Sequence, residues 1–425
     1  MKHDLMVTRN QRVERITEKT LVLGVDVAKE KHVAQAADFR GRILTRHPIR
    51  FNNTEGGFQQ LLRSVHQLQK QYGIDDVMVG MEPTGHYWFN LANWLVDKGV
   101  EVVLVNPITT HRNKENRDNT PSKSDPKDAA VIADSVARGY YSPYQRRDPL
   151  FQRLNVLARA CERVEQDLTR VKNRIHGWLD EYFPEYESVF IDPFSDRSVA
   201  TLHQCPTPGD LKGLSPQDVV DRWTRQGMRR PGGKRGLDKA AELLQVARRS
   251  IGSTVALEEA KWELKRLLEE YKRLERALKE ADDKLKALLP EVPLADVLQT
   301  IGLTPFLCTV ILAYAGDLSR YDHGNQLLRM AGLNLAESSS GKYRGKIKLS
   351  KRGNARLRKY LYLAVFHLLR SNPTFREWHR YNVETKGMTG MQSLIKLTGK
   401  LARILVAMAR KNETFAAEVP QPQVA

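Results

Sequence analysis

The stretch Leu-Val-Leu-Gly-Val-Asp-Val at residues 21–27 decides the fold class, because it is short, apolar, rich in β-branched residues and contains a carboxylate near its end. A run of this kind is typical of a buried central strand. Two further strands are predicted at 31–38 and 43–51, since each follows a short turn. The three segments together predict an antiparallel meander.

Helical and strand patterns alternate in the part of the chain that follows. Thr54 is expected to cap an amphipathic helix over 54–70, and Asp125 opens another helix, in which Pro126 occupies a permitted first-turn position. The order βββ-α-β-α-β-α predicts a ribonuclease H-like α/β domain. The other expected elements are a strand at 77–81, a helix at 87–98, a strand at 102–105 and the helix over 125–138.

Two long segments in the middle of the chain carry heptad spacing. Apolar residues recur alternately every three and four positions from Leu154 to Tyr182 and from Leu257 to Leu288, which is typical of coiled-coil helices. These helices are expected to pair with each other or with a second protomer. The predicted organisation is a polar, loose N-terminal extension at 1–20, the α/β domain at 21–150, coiled-coil helices at 151–290 with a basic, partly ordered insert at about 185–250, a mostly α-helical C-terminal domain at 291–412 and a frayed tail at 413–425.

The charge balance restricts the class of partner. The 425 residues carry a formal net charge of +18, and 41% of them are hydrophobic, so sizeable cores can form beneath a strongly cationic surface. A polyanion offsets such self-repulsion, and nucleic acid is the commonest polyanionic partner. No apolar run approaches the roughly 20 residues of a membrane-spanning helix, and the charged N-terminus lacks the apolar core of an export signal. We therefore expect a cytoplasmic nucleic-acid-binding protein without a membrane partner.

Four carboxylates occupy positions that the predicted fold brings together. Asp26 ends the first strand, Glu82 follows the strand at 77–81, and Asp125 and Asp128 share one face at the start of a helix. Converging carboxylates repel each other unless cations lie among them, and hard oxygen ligands select Mg²⁺ or Mn²⁺. Two such ions can activate the attacking oxygen and stabilise the leaving oxygen at a phosphodiester.

Each acid taken alone has a simpler explanation. A single aspartate at a strand end is usually a turn or cap residue, and Asp125 alone is most often an N-cap. An actin-like ATPase also opens on a Gly-x-Asp strand, but no second glycine-rich phosphate loop follows in the required order. The ordered set of four acids therefore favours a metal site.

A basic stretch in the C-terminal domain contains a candidate nucleophile. No acidic residue occurs from Gly341 to Tyr360, and such a surface can contact several phosphates. The three serines at 338–340 are either a flexible linker or, where proton affinity is lowered, a nucleophile towards phosphorus. The predicted nucleic-acid contacts are Lys123 and Lys127 beside the acids, and Lys342, Tyr343, Arg344, Lys346, Lys348, Lys351, Arg352, Arg356 and Arg358 in the basic stretch.

Several motifs resemble one family, in the same order along the chain. The first half is similar to the DEDD transposases of insertion sequences, which carry a RuvC-like domain, and the second half is similar to the C-terminal transposase domain of that family. The matching segments are GVDVAKEKH at 24–32, MEPTGHYW at 81–88, VNP at 105–107, KSDPKDA at 123–129, AGLNLAESSSGKYRG at 331–345 and SKRGNARLRKYLY at 350–362.

The resemblance implies a specific reaction. Members of this family are recombinases guided by a structured, noncoding bridge RNA that pairs with both donor and target DNA. Their DEDD acids hold Mg²⁺, and a serine of the C-terminal domain forms a 5′-phosphoserine linkage. Their dimers assemble to a tetramer, in which a composite site draws the two domains from different protomers. Carried onto this sequence, the acids are Asp26, Glu82, Asp125 and Asp128, and the serine is Ser340, with Ser339 as the alternative.

Three functions are compatible with the sequence. The first, which the motifs favour, is this RNA-guided serine recombinase. The second is a hydrolytic RuvC-like nuclease, such as a junction resolvase, in which the acids activate water and the serine is only structural. The third is a non-enzymatic scaffold that binds nucleic acid.

Overall fold

The computed structural model describes residues 10–118, 124–228, 231–336, 339–340, 343–344 and 348–416. The chain divides into two compact units, Met1–Arg146 and Arg147–Ala425. None of the described helices combines the length and the apolar character needed to cross a membrane.

A six-stranded mixed sheet forms the centre of the first unit. Its strands are Thr20–Asp26 (β1), Lys31–Ala37 (β2), Ile49–Asn52 (β3), Asp76–Met81 (β4), Glu101–Leu104 (β5) and Ser142–Pro143 (β6). They lie in the order β3-β2-β1-β4-β5-β6. β1 pairs antiparallel with β2 and parallel with β4, so the apolar run of β1 lies centrally. The predicted adjacency of the first and fourth strands is confirmed.

Helices cover both faces of this sheet. The helices that follow β3 are Glu55–Tyr72 (α1), Trp88–Asp97 (α2), Pro107–Asp118 (α3) and Asp125–Ala137 (α4). Apolar side chains of α1 and α2 pack with one face of β1, and those of α4 pack with the opposite face. Thr54 caps α1 as predicted, because its side chain accepts a hydrogen bond from the backbone N–H of Gly57.

The predicted third strand is wrong in its first half. Ile43 forms only a single bridge to Ala37, and β3 begins at Ile49. Pro48 stands directly before β3. Because proline donates no N–H and restricts the residue before it, the regular ladder begins only after this position.

The described part of the N-terminal extension is fixed to the sheet, so the expectation of a loose segment at 1–20 is wrong from residue 10 onwards. Ile16 is buried. The guanidinium of Arg15 lies 2.6 Å from a carboxylate oxygen of Asp76 and 2.6 Å from one of Glu101. These ion pairs join the segment to β4 and β5.

Two long helices run through the second unit and pack along each other. They are Pro149–Tyr182 (α5) and Leu257–Ala287 (α10). The predicted heptad helices are therefore confirmed, and they pair within one chain. Trp178 on α5 donates its indole N–H to the carbonyl oxygen of Ala260 on α10 at 2.9 Å.

The insert between the long helices is helical and well packed, so the expectation of partial order is wrong for its described residues. Tyr186 and Trp223 are fully buried in one core with α5 and α10. Pro208 and Pro216 stand in the first turns of helical segments, where a missing N–H removes no internal hydrogen bond. The segments are Tyr186–Val189 (α6), Asp196–Gln204 (α7), a 3₁₀ turn at Pro208–Leu211, Pro216–Arg225 (α8) and Lys234–Arg248 (α9).

The last part of the chain is mostly helical, as predicted, and it packs around a buried helix that is apolar except for Thr309. The helices are Ala295–Gln299 (α11), Pro305–Ala315 (α12), Gly324–Ala331 (α13), Ala355–Ser371 (α14), Pro373–Arg380 (α15) and Gly390–Lys411 (α16), with a π-helical turn at Tyr381–Thr385. Short strands stand between α13 and α14: Leu335–Ala336 (β7), Ser339–Ser340 (β8), Tyr343–Arg344 (β9) and Lys348–Leu349 (β10). β7 pairs with β10, and β8 pairs with β9.

Candidate active site

Asp26 and Glu82 lie at the same end of the sheet. β1 and β4 run parallel, with Val25 opposite Met81. Asp26 is the last residue of β1, and Glu82 follows β4 directly. The two carboxylates therefore end neighbouring central strands, as expected from the sequence.

α4 brings two more acids to this region. Asp125 and Asp128 both lie in its first turn, and α4 packs directly on β1 and β2. The approach is close because Gly24 has no side chain. A Cβ atom there would lie 2.1 Å from the carbonyl oxygen of Ala129 and 2.4 Å from the backbone nitrogen of Ala133. The glycine two residues before the end of β1 thus sets how near the helix comes.

The acids act on one another electrostatically. The pKa of Asp26 is raised to about 6, chiefly by burial and then by the negative charges of Asp128, Asp125 and Glu82. The ammonium group of Lys114 acts in the opposite direction. A raised carboxylate pKa indicates that nearby negative charge is not balanced by nearby positive charge. Perturbed pKa values of this kind are common at functional sites.

Helix α3, which was not predicted, supplies polar partners to two of the acids. The hydroxyl of Thr110 donates to Oε2 of Glu82 at 2.6 Å, and Nζ of Lys114 lies 2.7 Å from Oδ1 of Asp128. Thr110 is buried and Lys114 is partly exposed. Their spacing in the sequence could have indicated a shared role, because residues four apart on a helix lie on one face.

A divalent cation fits this donor set. Across the residues that have described positions, no three acidic, histidine or cysteine side chains form a ready-made ligand shell. The four acids nevertheless offer hard oxygen donors that interact electrostatically with one another, and the ammonium group of Lys114 offsets part of their negative charge at Asp26. The residues that could hold Mg²⁺ or Mn²⁺ are Asp26, Glu82, Asp125 and Asp128.

The candidate nucleophile belongs to the second unit. The backbone of Ser339 pairs with Arg344, and that of Ser340 pairs with Tyr343, so the serines lie in one arm of a short antiparallel hairpin. The side chains of these hairpin residues lie outside the described part of the chain. The predicted contacts Lys123, Lys342 and Lys346 also lie outside it.

The basic stretch after the hairpin contains two kinds of cation. Nε of Arg356 lies 2.8 Å from a carboxylate oxygen of buried Glu162, and Arg358 donates to the carbonyl oxygen of Ala331 at 2.7 Å. Protein partners therefore hold both guanidinium groups. Of the other predicted contacts, Lys348, Lys351 and Arg352 are exposed, and Lys127 is half-buried on α4.

Comparison with known proteins found similarity in both halves of the chain. A DEDD-type IS110 family profile described as "Transposase" matches residues 23–184, and a profile described as "Transposase IS116/IS110/IS902 family" matches residues 295–380. The "Insertion element IS110 uncharacterized 43.6 kDa protein" of Streptomyces coelicolor is 26% identical over 70% of this chain and 73% of its own. The "Transposase for insertion sequence element IS1111A" of Coxiella burnetii is 23% identical over 97% and 95%. The "Pilin gene-inverting protein" of Moraxella bovis is 25% identical over 43% and 54%.

Proposed function

The chain belongs to the IS110 family of insertion-sequence transposases, and on that premise we propose that it is an RNA-guided DNA recombinase that works through a 5′-phosphoserine intermediate. One observation carries the enzymatic part of this proposal. Asp26 lies among three further acids, in surroundings that raise its pKa to about 6. The adjacency of β1, β4 and α4 supports the ribonuclease H-like, RuvC-like fold that the proposal requires.

The carboxylates have the role of holding Mg²⁺ or Mn²⁺. Asp26, Glu82, Asp125 and Asp128 would bind the cation, which when bound stabilises negative charge on the oxygens of a phosphodiester. The chain's own groups prepare this site. Thr110 orients Glu82 through its hydrogen bond, and partial burial of Asp26 reduces the screening of its charge by water.

The covalent step is assigned to Ser340, with Ser339 as the alternative. The serine hydroxyl gives up its proton and its Oγ forms a bond to phosphorus, while the bond from phosphorus to the 3′ oxygen breaks. The 3′ oxygen keeps the electron pair and gains a proton, so the products are a 5′-phosphoserine and a 3′-hydroxyl. Attack by the 3′-hydroxyl of another strand then breaks the serine ester and rejoins the DNA. No ester bond is lost to water, so rejoining needs no outside energy source.

A guide RNA and an oligomer complete the proposal. The motifs shared with the family support a structured noncoding RNA that pairs with donor and target DNA, and dimers that assemble to a tetramer. The net charge of +18 supports a polyanionic partner. Light scattering after size-exclusion chromatography, with and without RNA and DNA, measures the assembled mass directly.

A denaturing gel separates this proposal from its alternatives. Protein is incubated with Mg²⁺, labelled DNA of an element end and RNA transcribed from the flanking noncoding DNA. We expect a protein–DNA band that survives denaturation and is lost in Ser340→Ala, whereas the matched variant Ser338→Ala keeps it.

Two outcomes would overturn the proposal. Free 5′-phosphate ends, made equally well by Ser340→Ala and Ser339→Ala, would identify a hydrolytic nuclease. DNA processing that is unchanged in Asp26→Asn would overturn the metal-dependent role of the acids, and wild-type protein that binds the DNA without processing it would leave only the non-enzymatic scaffold.

A further inference from the structure

Three lysines lie close together in the last part of the chain, away from the basic stretch identified in the sequence. Lys386 lies in the loop after the π-helical turn, and Lys396 and Lys400 lie one turn apart on α16. The pKa of Lys396 is lowered by burial and by the charge of Lys386, and that of Lys400 is lowered by burial and by the charge of Lys396. The ammonium group of Lys396 is therefore repelled by that of Lys386 and by that of Lys400.

Among the residues with described side chains, neutral groups and not carboxylates contact these ammonium groups. Nζ of Lys400 lies 3.1 Å from the ring centroid of Trp378, and Nζ of Lys396 donates to Oδ1 of Asn382 at 2.8 Å. Nζ of Lys386 lies 5.1 Å from the ring centroid of Tyr381. An aromatic ring or an amide holds a cation in place without cancelling its charge, so the cluster stays positive.

The acids on the neighbouring segments do not change this balance. Glu377 is engaged by Arg380, and no ion pair among the described side chains joins Glu384 to the cluster. From Lys386 to Asn412 the sequence contains no acidic residue.

The N-terminus of α16 adds partial positive charge beside Lys386. Thr389 caps this 22-residue helix, Lys386 lies three residues before the cap, and Lys396 lies in the second turn. The N-terminus of a helix carries partial positive charge and favours anions. An anion bound beside Lys386 would therefore interact favourably with both the lysine and the helix end.

The shape of the surface favours a polynucleotide over a single small anion. The lysines follow the helix over more than one turn, and the ring of Tyr381 is 50% exposed beside Lys386. A row of cations beside an exposed aromatic ring suits a phosphodiester backbone with a base stacked on the ring. We propose that Lys386, Lys396 and Lys400, which we name the C-terminal lysine surface, bind the phosphate backbone of the DNA or guide RNA on which the enzyme acts. This inference rests on the proposed function.

The salt dependence of binding tests the proposal. Affinities of the full chain for a duplex DNA of an element end and for the single-stranded flanking RNA are measured at several salt concentrations in EDTA. In the variant with Lys386→Gln, Lys396→Gln and Lys400→Gln, the slope of log affinity against log salt should fall by about 2–3, since each phosphate contact contributes roughly 0.7–0.9.

A matched control removes the same charge elsewhere. Lys239→Gln, Lys284→Gln and Lys286→Gln change three lysines that are paired with acids, and this variant should keep the wild-type slope. A change confined to the duplex identifies a DNA surface, and a change confined to the RNA identifies an RNA surface. Equal slopes in both triple variants would overturn the proposal, because net charge alone would explain an equal fall and a lack of phosphate contact would explain two unchanged slopes.

A second measurement uses the wild-type protein only, so its result does not depend on whether the variants fold. Wild-type protein is treated with an amine-acetylating reagent, with and without DNA or RNA, and modified lysines are identified by mass spectrometry. Nucleic acid should protect Lys386, Lys396 and Lys400 and leave Lys239 reactive. Absence of protection with both probes would also overturn the proposal. Both binding measurements are made in EDTA, which prevents metal-dependent cleavage. The lysine surface can therefore be refuted while the phosphoserine band persists, and it can be supported while that band is absent.

Discussion

Replacement of Gly24 by alanine is expected to push α4 away from β1. The new Cβ would lie 2.1 Å from the carbonyl oxygen of Ala129 and 2.4 Å from the nitrogen of Ala133, whereas ordinary contacts are at 3.4–4 Å. Both neighbours are backbone atoms, so no side-chain rotation relieves the clash, and the helix has to move by about 1 Å or more. Overpacking of this kind costs about 1–3 kcal/mol, and we expect the upper end of that range.

Hydrogen exchange measured by mass spectrometry on the full chain tests this expectation. A cost of about 3 kcal/mol lowers the protection of amides in α4 and β1 by roughly a hundredfold. DNA strand cleavage should also fall by roughly a hundredfold, because a 1 Å displacement of catalytic groups has an effect of that size. Asp125 and Asp128 move with the helix, while Asp26 stays on its strand.

Gly56→Ala provides the matched control. This glycine lies in the first turn of α1, its added Cβ would meet no heavy atom within 4 Å, and its backbone does not need a positive φ. Its protection should be unchanged or slightly higher, by up to about 1 kcal/mol. Equal protection in the two variants would refute the close packing of α4 on β1. Lost protection with cleavage intact would show that the acids of α4 are not needed.

Three further substitutions test separate contacts. Lys114→Met removes the ammonium group that competes for Asp128, so calorimetry should show Mn²⁺ binding roughly fivefold tighter, equivalent to about 1 kcal/mol; weaker binding would contradict this competition. Arg15→Gln removes the hydrogen-bonded guanidinium that lowers the pKa of Asp76. The ion pair stabilises the fold above the unfolded-state pKa of about 3.9, and this stabilisation is lost as the pH falls through the lower folded-state pKa. The free energy of unfolding in urea should therefore be about 0.5–1 kcal/mol lower in the variant than in the wild type at neutral pH, and the two values should converge in acid. A difference that persists in acid would rule out this pair as its source. Arg356→Met leaves its buried carboxylate partner unpaired and should cost about 2 kcal/mol in thermal unfolding, with DNA affinity nearly unchanged; a stable variant that binds DNA poorly would show that this arginine contacts nucleic acid.

The positions of the acids could be predicted because strand ends are visible in the sequence. The apolar runs before Asp26 and Glu82 mark two buried strands, and the Asp-Pro pair at Asp125 marks the start of a helix. Once the order of elements indicates the sheet, these positions must lie near one another. The chemistry of the group then follows from the residue types.

The partners of the acids could not be predicted in the same way. α3 has the sequence PITTHRNKENRD, which contains no apolar stripe, so hydrophobic periodicity does not identify it as a helix. Thr110 and Lys114 were therefore missed. In the insert, proline and glycine content suggested partial order, but Pro208 and Pro216 begin helical segments instead of interrupting them.

The C-terminal lysine surface was missed for a different reason. Its three lysines are spread over 15 residues of an amphipathic helix and the loop that precedes it, so they do not form a dense run of charge in the sequence. The absence of acidic residues from Lys386 to Asn412 was the available signal.

The paired helices α5 and α10 set a fixed separation between two cores of the second unit. The N-terminal end of α5 and the C-terminal end of α10 pack with α12, and the opposite ends of the two helices pack with the helices of the insert. With 34 and 31 residues, each spans roughly 50 Å at about 1.5 Å per residue. Adding seven residues to both helices would move the core that contains the insert outward by about 10 Å while the same faces of the two helices stay in contact. Adding four would shift the contact face by a fraction of a turn. The distance between the two cores can therefore change without loss of the helix–helix contact only when both helices change in length by whole heptads.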